Sequence, residues 1–585
     1  MFCFLQVFYT IFSSVLITLG IPNELFKMGS PFFGLIALIP FYIAISKAKS
    51  YKESFYLGLL HAFFTHILSS YWLKNFQGFA IFTLGASAVG TAFIEGAVCL
   101  FLYYPFSKQN SLFSFEKLRN YEIPVKIFWF TGIYVLYEWY KSIGFLGYPW
   151  GTLPMTAIRM NFLVQIVDIC GTWGISFLFA LFSAFIGEAV IFSTKKQILK
   201  SSDNIFSLKV SGSFVCIIFG ISIVYGAFQY NKNYEPIKQL NAVLVQHNMD
   251  TYRSNEELSI LEAQKLTEKG IEKFKEEGLK TDLVVWSEGI LNKYFPYSIP
   301  YYENFPNQEP LISFIKKQRT PFVIGGALTI DREKHKYGNA AGLFNENGKY
   351  IGSYLKIHLV PFAESIPFVE YEAVRKFIKK IAGFSYGWTP GEKYTLFDIP
   401  ISDKNTVDTS SVEVLSTNPR NNVKPKPTVK ISTPICFDDA FCSVCRGLFL
   451  AGSEVFINIT NDSWSKTQSA EYQHYAISKF RSMETRTTLV RCTNSGFTVV
   501  VDPRGKIIDS LPLFESSVLN AKIPVYKRTM AFYARFGNWL PYSILILSFF
   551  YILFLENYKK KNEILEISVS LVKSTRKNKS RSKKE

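Results

Sequence analysis

The sequence predicts a multi-pass α-helical membrane domain of about eight helices joined to an α/β domain. Two observations lead to this fold class. The chain of 585 residues is 48% hydrophobic, but its long apolar runs lie outside residues 232–530, a region with the charge density of a water-exposed domain. Within that region, short apolar strands alternate with amphipathic helices.

The predicted membrane helices come from eight apolar stretches. They lie near residues 3–20, 31–46, 56–73, 79–104, 127–144, 161–193, 208–229 and 537–555. Several exceed the roughly 18–20 apolar residues that cross a bilayer, although the second and fifth are short or carry charge. We therefore expect a seven-helix membrane domain in residues 1–231 and an eighth membrane helix in residues 531–557. Buried core helices of a soluble protein are the weaker alternative.

The net charge of +18 is concentrated in particular loops. Basic residues follow the second, fourth and sixth apolar stretches and fill the tail at 558–585. The positive-inside rule then places both termini in the cytoplasm and residues 232–530 on the opposite side of the membrane. A basic tail of this kind is typical of an anchor on anionic lipid, so we do not expect a nucleic acid partner.

The region between the seventh and eighth stretches is predicted to contain a sheet covered by helices. Its apolar strands at 242–246, 283–286 and 322–325 are separated by helical patterns at 255–277 and 311–318. Residues 403–427 are rich in Ser, Thr, Asn, Pro and Lys and lack apolar periodicity. We expect them to form a flexible insertion.

Three reactive residues follow apolar runs in this domain. Glu288 comes after 283–286, Lys356 after 350–355, and Cys436 after 429–435. A carboxylate, an ammonium and a thiol can serve as general base, oxyanion stabiliser and nucleophile of acyl transfer through a thioester. Each alone is typical of packing or a strand end, so the hypothesis rests on their joint occurrence.

Cys436 is predicted to lie on a turn between a strand and a helix. The helix N-terminus there is expected to lower the pKa of the thiol. Cys442 and Cys445 have redox or zinc-ligand spacing but no accompanying ligand cluster, so we interpret them as structural, with a disulfide as the alternative. The six histidines form no metal motif. We expect neither a metal nor another cofactor.

Further motifs accompany these three residues in a fixed order. They are Glu138-Trp139, Gly147-Tyr-Pro-Trp150, Gly171 to Ser176, Asn461-Asp-Ser-Trp464, Gln473-His474, Arg481 with Glu484 and Arg486, Arg491 to Gly496, and Ala534 to Trp539. With them the chain resembles the apolipoprotein N-acyltransferases, membrane members of the nitrilase superfamily. We also expect Arg481, Glu484 and Arg486 to form a structural salt-bridge network. Glu95, inside an apolar stretch, has no explanation from the sequence.

The resemblance implies a nitrilase-like αββα sandwich in the bacterial inner membrane, with the catalytic domain on the periplasmic side. It implies that Glu288, Lys356 and Cys436 move an acyl chain from a phospholipid, usually the sn-1 chain of phosphatidylethanolamine, to the diacylglyceryl-cysteine of an apolipoprotein. Glu364 is then expected to position Lys356 or the amine, and Trp464 to contact lipid. Asn461 and Asp462 are expected to be turn residues that shape the site.

Four positions depart from the pattern of the family. Ser287 replaces a Pro before the base, Phe437 and Asp438 replace Tyr and Glu after the nucleophile, and Ser465 replaces an aromatic residue. We expect these departures to affect loops that contact substrate more than the three reactive residues. Altered acyl or head-group preference, or slow turnover, would follow.

Three other functions compete with this hypothesis. A nitrilase-like membrane amidase, or an acyltransferase with a different amine acceptor, would use the same three reactive residues. A transporter or receptor would use the helices as its working part, but the sequence shows no repeated membrane halves and would leave the α/β domain unexplained. A catalytically dead scaffold is disfavoured by the intact Glu288, Lys356 and Cys436.

Overall fold

The computed structural model of the protein describes residues 4–76, 81–107, 121–194, 202–253, 255–366, 368, 371–382, 387–402 and 426–581. Apart from its last two residues, the predicted insertion at 403–427 lies outside this described part of the chain. The remainder forms a helical N-terminal part, a two-sheet sandwich and a long C-terminal helix.

The described N-terminal part consists of helices joined by turns and loops. Its α-helices are α1 (Phe4–Gly20), α2 (Pro31–Ile36), α3 (Leu38–Ser46), α4 (Tyr51–Ser69), α5 (Ser87–Tyr103), α6 (Glu122–Lys141), α7 (Leu153–Thr156), α8 (Val167–Cys170), α9 (Trp173–Thr194) and α10 (Ser202–Asn231). Within the described residues, four helices are long and apolar enough to cross a membrane. They are Thr83–Phe106, Trp173–Thr194, Asn204–Asn231 and Trp539–Tyr558.

Two predicted spans differ from the sequence expectation. The stretch at 161–193 is not one helix, because α8 ends at Gly171, whose φ of 63° terminates it. A Cβ at Gly171 would lie 2.5 Å from the Tyr533 ring, so glycine is also required sterically. The stretch at 31–46 divides into α2 and α3, because Pro40 has no N–H to bond the carbonyl of Ile36.

The acidic side chains buried among these helices have polar partners. Glu95 lies 2.7 Å from Nδ1 of His61, and Nε2 of the same ring is 3.0 Å from the Ser13 hydroxyl. Glu138 accepts a hydrogen bond from the Ser176 hydroxyl at 2.5 Å. These partners explain how carboxyl groups are accommodated in an apolar bundle.

The sandwich contains thirteen strands in the described residues. They are β1 (Pro236–Gln246), β2 (Leu283–Trp286), β3 (Tyr294–Phe295), β4 (Phe322–Asp331), β5 (Lys336–Phe344), β6 (Tyr350–Leu355), β7 (Leu396–Pro400), β8 (Thr428–Ser432), β9 (Val455–Thr460), β10 (Thr488–Thr493), β11 (Val499–Val501), β12 (Ile507–Ser510) and β13 (Ser517–Tyr526). One sheet has the order β13-β1-β2-β4-β5-β6, with β3 beside β4, and the other has the order β12-β11-β10-β9-β8-β7.

Helices accompany both sheets. They are α11 (Glu256–Glu276), α12 (Ile299–Tyr302), α13 (Leu311–Gln318), α14 (Glu372–Ala382), α15 (Cys442–Ala451) and α16 (Gln468–Thr485). The central strands β1, β2 and β4 are mutually parallel, as are β8, β9 and β10. Strands of this kind are covered on both faces, which accounts for their continuous apolar sequences.

The alternation of side chains along the strands divides the core into two layers. Leu244 belongs to the buried cluster that also contains Val285 and Ile457, so it lies between the two sheets. Its neighbour Val243 belongs to a second cluster with Ile260 of α11, on the outer face. The sandwich therefore has the helix–sheet–sheet–helix layering that the resemblance implies.

The C-terminal end of the chain is a helix longer than the predicted membrane span. A short helix α17 (Phe532–Phe536) precedes Gly537, and α18 then runs from Trp539 to Arg581. The predicted segment at 531–557 thus begins outside the long helix. The helical backbone continues well into the basic tail.

Helix α16 joins the sandwich to the N-terminal helices. The amide of Gln473 donates to the backbone carbonyls of Pro22 at 2.8 Å and Ser69 at 3.0 Å. Lys479 donates to the carbonyl of Ile158 at 3.1 Å. Because both side chains are buried, these bonds fix α16 to the N-terminal part.

Arg486 makes the strongest of these connections. It follows α16 in a left-handed conformation with a φ of 53°. Its guanidinium lies 2.6 Å from Asp168 and 2.6 Å from the side-chain oxygen of Gln165. The predicted network is correct for Arg481 and Glu484, which pair at 3.0 Å, but wrong for Arg486.

Replacing Arg486 with Met should destabilise the protein by about 3–5 kcal/mol, because the Asp168 carboxylate would remain buried without its cation. Thermal unfolding of the purified protein in detergent measures this loss. The double variant Arg486→Met/Asp168→Asn should recover much of it, since no uncompensated charge remains. Equal losses in the single and double variants would contradict the ion-pair explanation.

Candidate active site

The three reactive residues predicted from the sequence lie together where strands of both sheets end. Glu288 follows β2 by two residues, Lys356 follows β6 directly, and Cys436 lies four residues after β8. Asn461 follows β9, next to them. Residues at strand ends are positioned by the sheet but free of its hydrogen-bond ladder, which leaves their side chains available for chemistry.

Glu288 is held in place by three donors. The backbone N–H of Asn461 donates to Oε2 at 2.9 Å, the Asn339 amide donates to Oε1 at 2.7 Å, and the Lys356 ammonium lies 3.3 Å from Oε1. Burial raises the pKa of Glu288, with Glu364 adding to the effect and Lys356 opposing it. A carboxyl with a raised pKa is suited to accept and return a proton.

Lys356 lies between two carboxylates. Its Nζ is 3.3 Å from Glu288 and 2.8 Å from Glu364. Burial alone would lower the pKa of Lys356, but the charges of Glu288 and Glu364 outweigh it and raise the pKa well above its usual value. The side chain is therefore an ammonium fixed in position. Glu364 also accepts the N–H of Val360 at 2.9 Å.

Cys436 is the first residue of a tight 3₁₀ turn, Cys436–Ala440. Its φ of 46° is unusual for a residue other than glycine and places the sulfur at a sharp turn after the strand. The expectation of a lowered thiol pKa is wrong. Burial raises the pKa of Cys436 well above its usual value, Glu288 raises it further, and Lys356 only partly compensates. The thiol therefore needs a base.

Asp438 lies in the protein interior on the nucleophile turn. It is fully buried, and its carboxylate accepts the Tyr354 hydroxyl at 2.8 Å and the backbone N–H groups of His358 at 2.7 Å and Ile435 at 3.1 Å. These bonds connect the chain around Lys356 to the nucleophile turn. Asp438 thus braces the two reactive residues against each other.

Aromatic rings from the N-terminal part reach the nucleophile turn. Phe437 stacks on Trp150, with ring centroids 5.4 Å apart and an interplanar angle of 11°. Trp464 packs at 5.6 Å from Trp72 and at 5.3 Å from Phe76. The wall beside Cys436 is therefore built from both parts of the chain and is mainly apolar.

A cavity of about 530 Å³ lies behind the nucleophile turn. Its walls come from residues 357–359 and 440–443 of the sandwich, from Trp139 and Phe145 of the N-terminal part, and from Tyr542 of α18. Neither Cys436 nor Glu288 is among its lining residues. The cavity lies at the junction of the sandwich with the helices, and apolar side chains predominate in it.

Several residues of the site were not predicted from the sequence. Asn339, within β5, bridges Glu288 and Glu364 through one amide nitrogen at 2.7 and 3.0 Å. His474 lies 2.8 Å from Asp462 and 3.0 Å from Asp439. His474 belonged to a motif quoted for the resemblance, whereas Asn339 gave no signal because it occurs inside an ordinary strand.

The other departures have local explanations. Ser465 is buried and donates to Glu471 at 3.0 Å, and the Ser287 hydroxyl lies 3.4 Å from Nδ1 of His247. Cys442 and Cys445 are both free thiols, so the disulfide alternative is wrong.

Comparison with known proteins identifies the family. Residues 13–185 match the model of the apolipoprotein N-acyltransferase N-terminal domain, and residues 242–529 match the carbon-nitrogen hydrolase model. A protein named apolipoprotein N-acyltransferase 2 from Treponema denticola is 39% identical over 95% of this chain and 99% of its own length. The chain belongs to the apolipoprotein N-acyltransferase family.

Two further members of the apolipoprotein N-acyltransferase family extend the comparison. Apolipoprotein N-acyltransferase 2 of Treponema pallidum is 37% identical over 90% of this chain and 91% of its own length. The apolipoprotein N-acyltransferase of Borreliella burgdorferi is 28% identical over 96% of this chain and 98% of its own length. The carbon-nitrogen hydrolase match and the two facing sheets confirm the predicted nitrilase-like sandwich. The four apolar helices make this family member a membrane protein.

Replacing Asp438 with Ala should destabilise the sandwich, because the buried Tyr354 hydroxyl and backbone N–H groups would lose their acceptor. The expected cost is about 1–3 kcal/mol for each unsatisfied group, measured by thermal unfolding in detergent. Asp398→Ala is the matched control, since Asp398 is exposed on β7. Equal effects of the two substitutions would contradict the bracing role.

Proposed function

We propose that this protein transfers an acyl chain from a phospholipid, through a thioester on Cys436, to the α-amino group of the diacylglyceryl-cysteine of apolipoproteins. The sn-1 chain of phosphatidylethanolamine is the proposed donor. The observation that carries the proposal is the grouping of Glu288, Lys356 and Cys436 at the junction of the sandwich with apolar helices. Relatives named apolipoprotein N-acyltransferase support it.

In the first half-reaction Cys436 attacks the ester of the phospholipid. Its thiol proton passes to the Glu288 carboxylate, and the sulfur electron pair forms the bond to the carbonyl carbon. The Lys356 ammonium stabilises the developing oxyanion. Collapse of the intermediate expels the glycerol oxygen, which takes the proton from Glu288 and leaves as a lysophospholipid.

In the second half-reaction the α-amino group of the acceptor attacks the thioester. Glu288 takes a proton from the amine, and the leaving sulfur of Cys436 receives it as the amide forms. The same three residues act in both halves, which predicts ping-pong kinetics. An ester donor already carries an activated acyl group, so the proposed chemistry requires no metal or nucleotide.

The surroundings of the site support a lipid donor. The rings of Trp72 and Phe76 pack on Trp464, whose proposed role is contact with the acyl chain. A mainly apolar cavity of about 530 Å³ lies at the same junction, although neither Cys436 nor Glu288 lines it. An amidase acting on small soluble substrates has no use for either feature beside membrane helices.

The charge distribution supports an orientation in the bacterial inner membrane. We assign residues 1–231 and 531–557 to the membrane domain and residues 232–530 to a catalytic domain on the periplasmic side. The basic tail at 558–585 and both termini are assigned to the cytoplasm, because the basic loops lie on that side.

The decisive test is the intact mass of the detergent-purified protein after incubation with phosphatidylethanolamine. We expect a gain of one acyl group, sensitive to hydroxylamine, because a thioester forms on Cys436. Subsequent addition of a diacylglyceryl lipopeptide should remove the group and transfer it to the peptide amine.

The Cys436→Ala variant is the control and should acquire no acyl group. An adduct that survives the lipopeptide would replace the proposed acceptor with a different amine. Absence of an adduct with every phospholipid tested would reject the phospholipid donor.

Glu364→Gln should lower kcat by about 10²-fold with little change in KM, because Lys356 would lose one of the two carboxylates that position it. Thioester formation measured by intact mass over time gives the rate. The matched control is Glu372→Gln, since Glu372 also pairs with a lysine, Lys376 at 2.8 Å, but is exposed. A loss confined to KM would assign Glu364 to substrate binding instead.

The pH dependence of thioester formation should report Glu288. This residue accepts a proton only when ionised, and burial raises its pKa, so the rate should fall as the pH decreases through that raised value. The midpoint of the acid limb is therefore expected above the roughly 4.3 of an ordinary glutamate. An acid limb at or below the ordinary value would show that Glu288 is not the base.

A further inference from the structure

A second carboxylate lies beside the nucleophile. Oδ1 of Asp462 is 3.9 Å from the sulfur of Cys436, within the range of a hydrogen bond from a thiol. The oxygens of Glu288 accept hydrogen bonds from the Asn339 amide, the Lys356 ammonium and the N–H of Asn461. The Asp462 carboxylate is thus an acceptor within hydrogen-bond distance of the Cys436 sulfur.

Two cationic side chains, His474 and Arg491, hold Asp462 in place. Nδ1 of His474 lies 2.8 Å from Oδ2 of Asp462, and Nε2 of the same ring lies 3.0 Å from Asp439 on the nucleophile turn. Arg491 pairs with Asp439 and lies 3.5 Å from Asp462. All four side chains are buried, so two carboxylates and two cations balance each other. Both ring nitrogens of His474 face carboxylates, which leaves neither available to a metal ion.

The surrounding groups shift the pKa of Asp462 and the pKa of Glu288, the two carboxylates beside the sulfur, in opposite directions. Burial would raise the pKa of Asp462, but the charges of His474 and Arg491, with Lys356, hold it below its usual value despite the nearby Glu471. Burial likewise opposes the charge of His474, but Asp462 and Asp439 outweigh it and raise its pKa to about 9. Asp462 therefore stays ionised.

We propose that Asp462 holds the Cys436 thiol by an S–H···O hydrogen bond in the resting enzyme, and that His474 is the positioning residue that keeps Asp462 directed at the sulfur. The inference depends on the proposed function only in taking Cys436 as the nucleophile. It assigns Asp462 and His474 roles beyond the Glu288, Lys356 and Cys436 chemistry.

Asp462 and Glu288 then have different roles toward the thiol proton of Cys436. Asp462 accepts the hydrogen bond without taking the proton, which keeps the thiol protonated and the sulfur at the turn. On attack the S–H bond breaks, its proton goes to Glu288, and its electron pair forms the carbon–sulfur bond. Asp462 is unchanged by the step, and the resting enzyme holds little thiolate.

The test is the rate of Cys436 alkylation by iodoacetamide as a function of pH, read by peptide mass on the full-length protein in detergent. Asp462→Asn removes a negative charge beside the sulfur and should lower the midpoint by about one pH unit, making alkylation at neutral pH about tenfold faster. His474→Gln removes one of the two cations beside Asp462 and should shift the midpoint upward, making alkylation slower.

The control is Asp331→Asn, which removes an exposed carboxylate paired with Lys334 and should leave the midpoint unchanged. Shifts of the two site variants in the same direction, or an Asp331→Asn shift equal to that of Asp462→Asn, would overturn the proposal.

The pH midpoint of Cys436 alkylation in the wild-type protein is a further test that needs no variant. Its midpoint should lie above the roughly 8.5 of free cysteine, and a midpoint at or below that value would also overturn the proposal. Alkylation needs neither acyl donor nor acceptor. A wrong substrate assignment would therefore leave this result intact and would appear only in the mass experiment with phospholipid.

Discussion

Helix α16 carries buried polar side chains that need hydrogen-bond partners in two different parts of the protein. Gln473 and Lys479 donate to backbone carbonyls of the N-terminal part, while His474 lies between two aspartates of the site. Leaving such groups unpaired in a buried helix would be costly. The position of α16 therefore fixes the N-terminal part relative to the sheet that carries the nucleophile.

The backbone conformation of Cys436 depends on this position of α16. Cys436 takes a left-handed conformation that ordinary residues avoid, and its turn is held by Asp438 from within and by Asp439 through His474 and Arg491. A strained residue persists only when its surroundings determine its conformation. Buried hydrogen bonds and ion pairs around the turn hold Cys436 in this conformation.

Much of the site could be predicted because its residues stand at the ends of apolar strands. Glu288, Lys356 and Cys436 interrupt clear hydrophobic runs, and the structure places them together. Asn339 could not be predicted, because a single polar residue inside a strand is unremarkable in sequence.

The errors in prediction arose from local reasoning. Helical spacing grouped Arg486 with Arg481 and Glu484, but the left-handed end of α16 turns Arg486 toward Asp168, far away in the chain. The helix dipole expected at Cys436 was a local effect, whereas burial and nearby carboxylates, which depend on the whole fold, determine the thiol pKa. The overall layering was predictable because apolar periodicity is a property of each segment by itself.

The stack of Phe437 on Trp150 joins a residue adjoining the nucleophile to the segment between α6 and α7 of the N-terminal part. The two rings are in close contact, and densely packed protein interiors transmit displacements. A movement of that segment would therefore also move the nucleophile turn. Separated from its helices, the sandwich would keep its three reactive groups but lose the surface against which the turn rests. The stack of Phe437 on Trp150 is therefore one of the contacts that hold the nucleophile turn against the N-terminal helices.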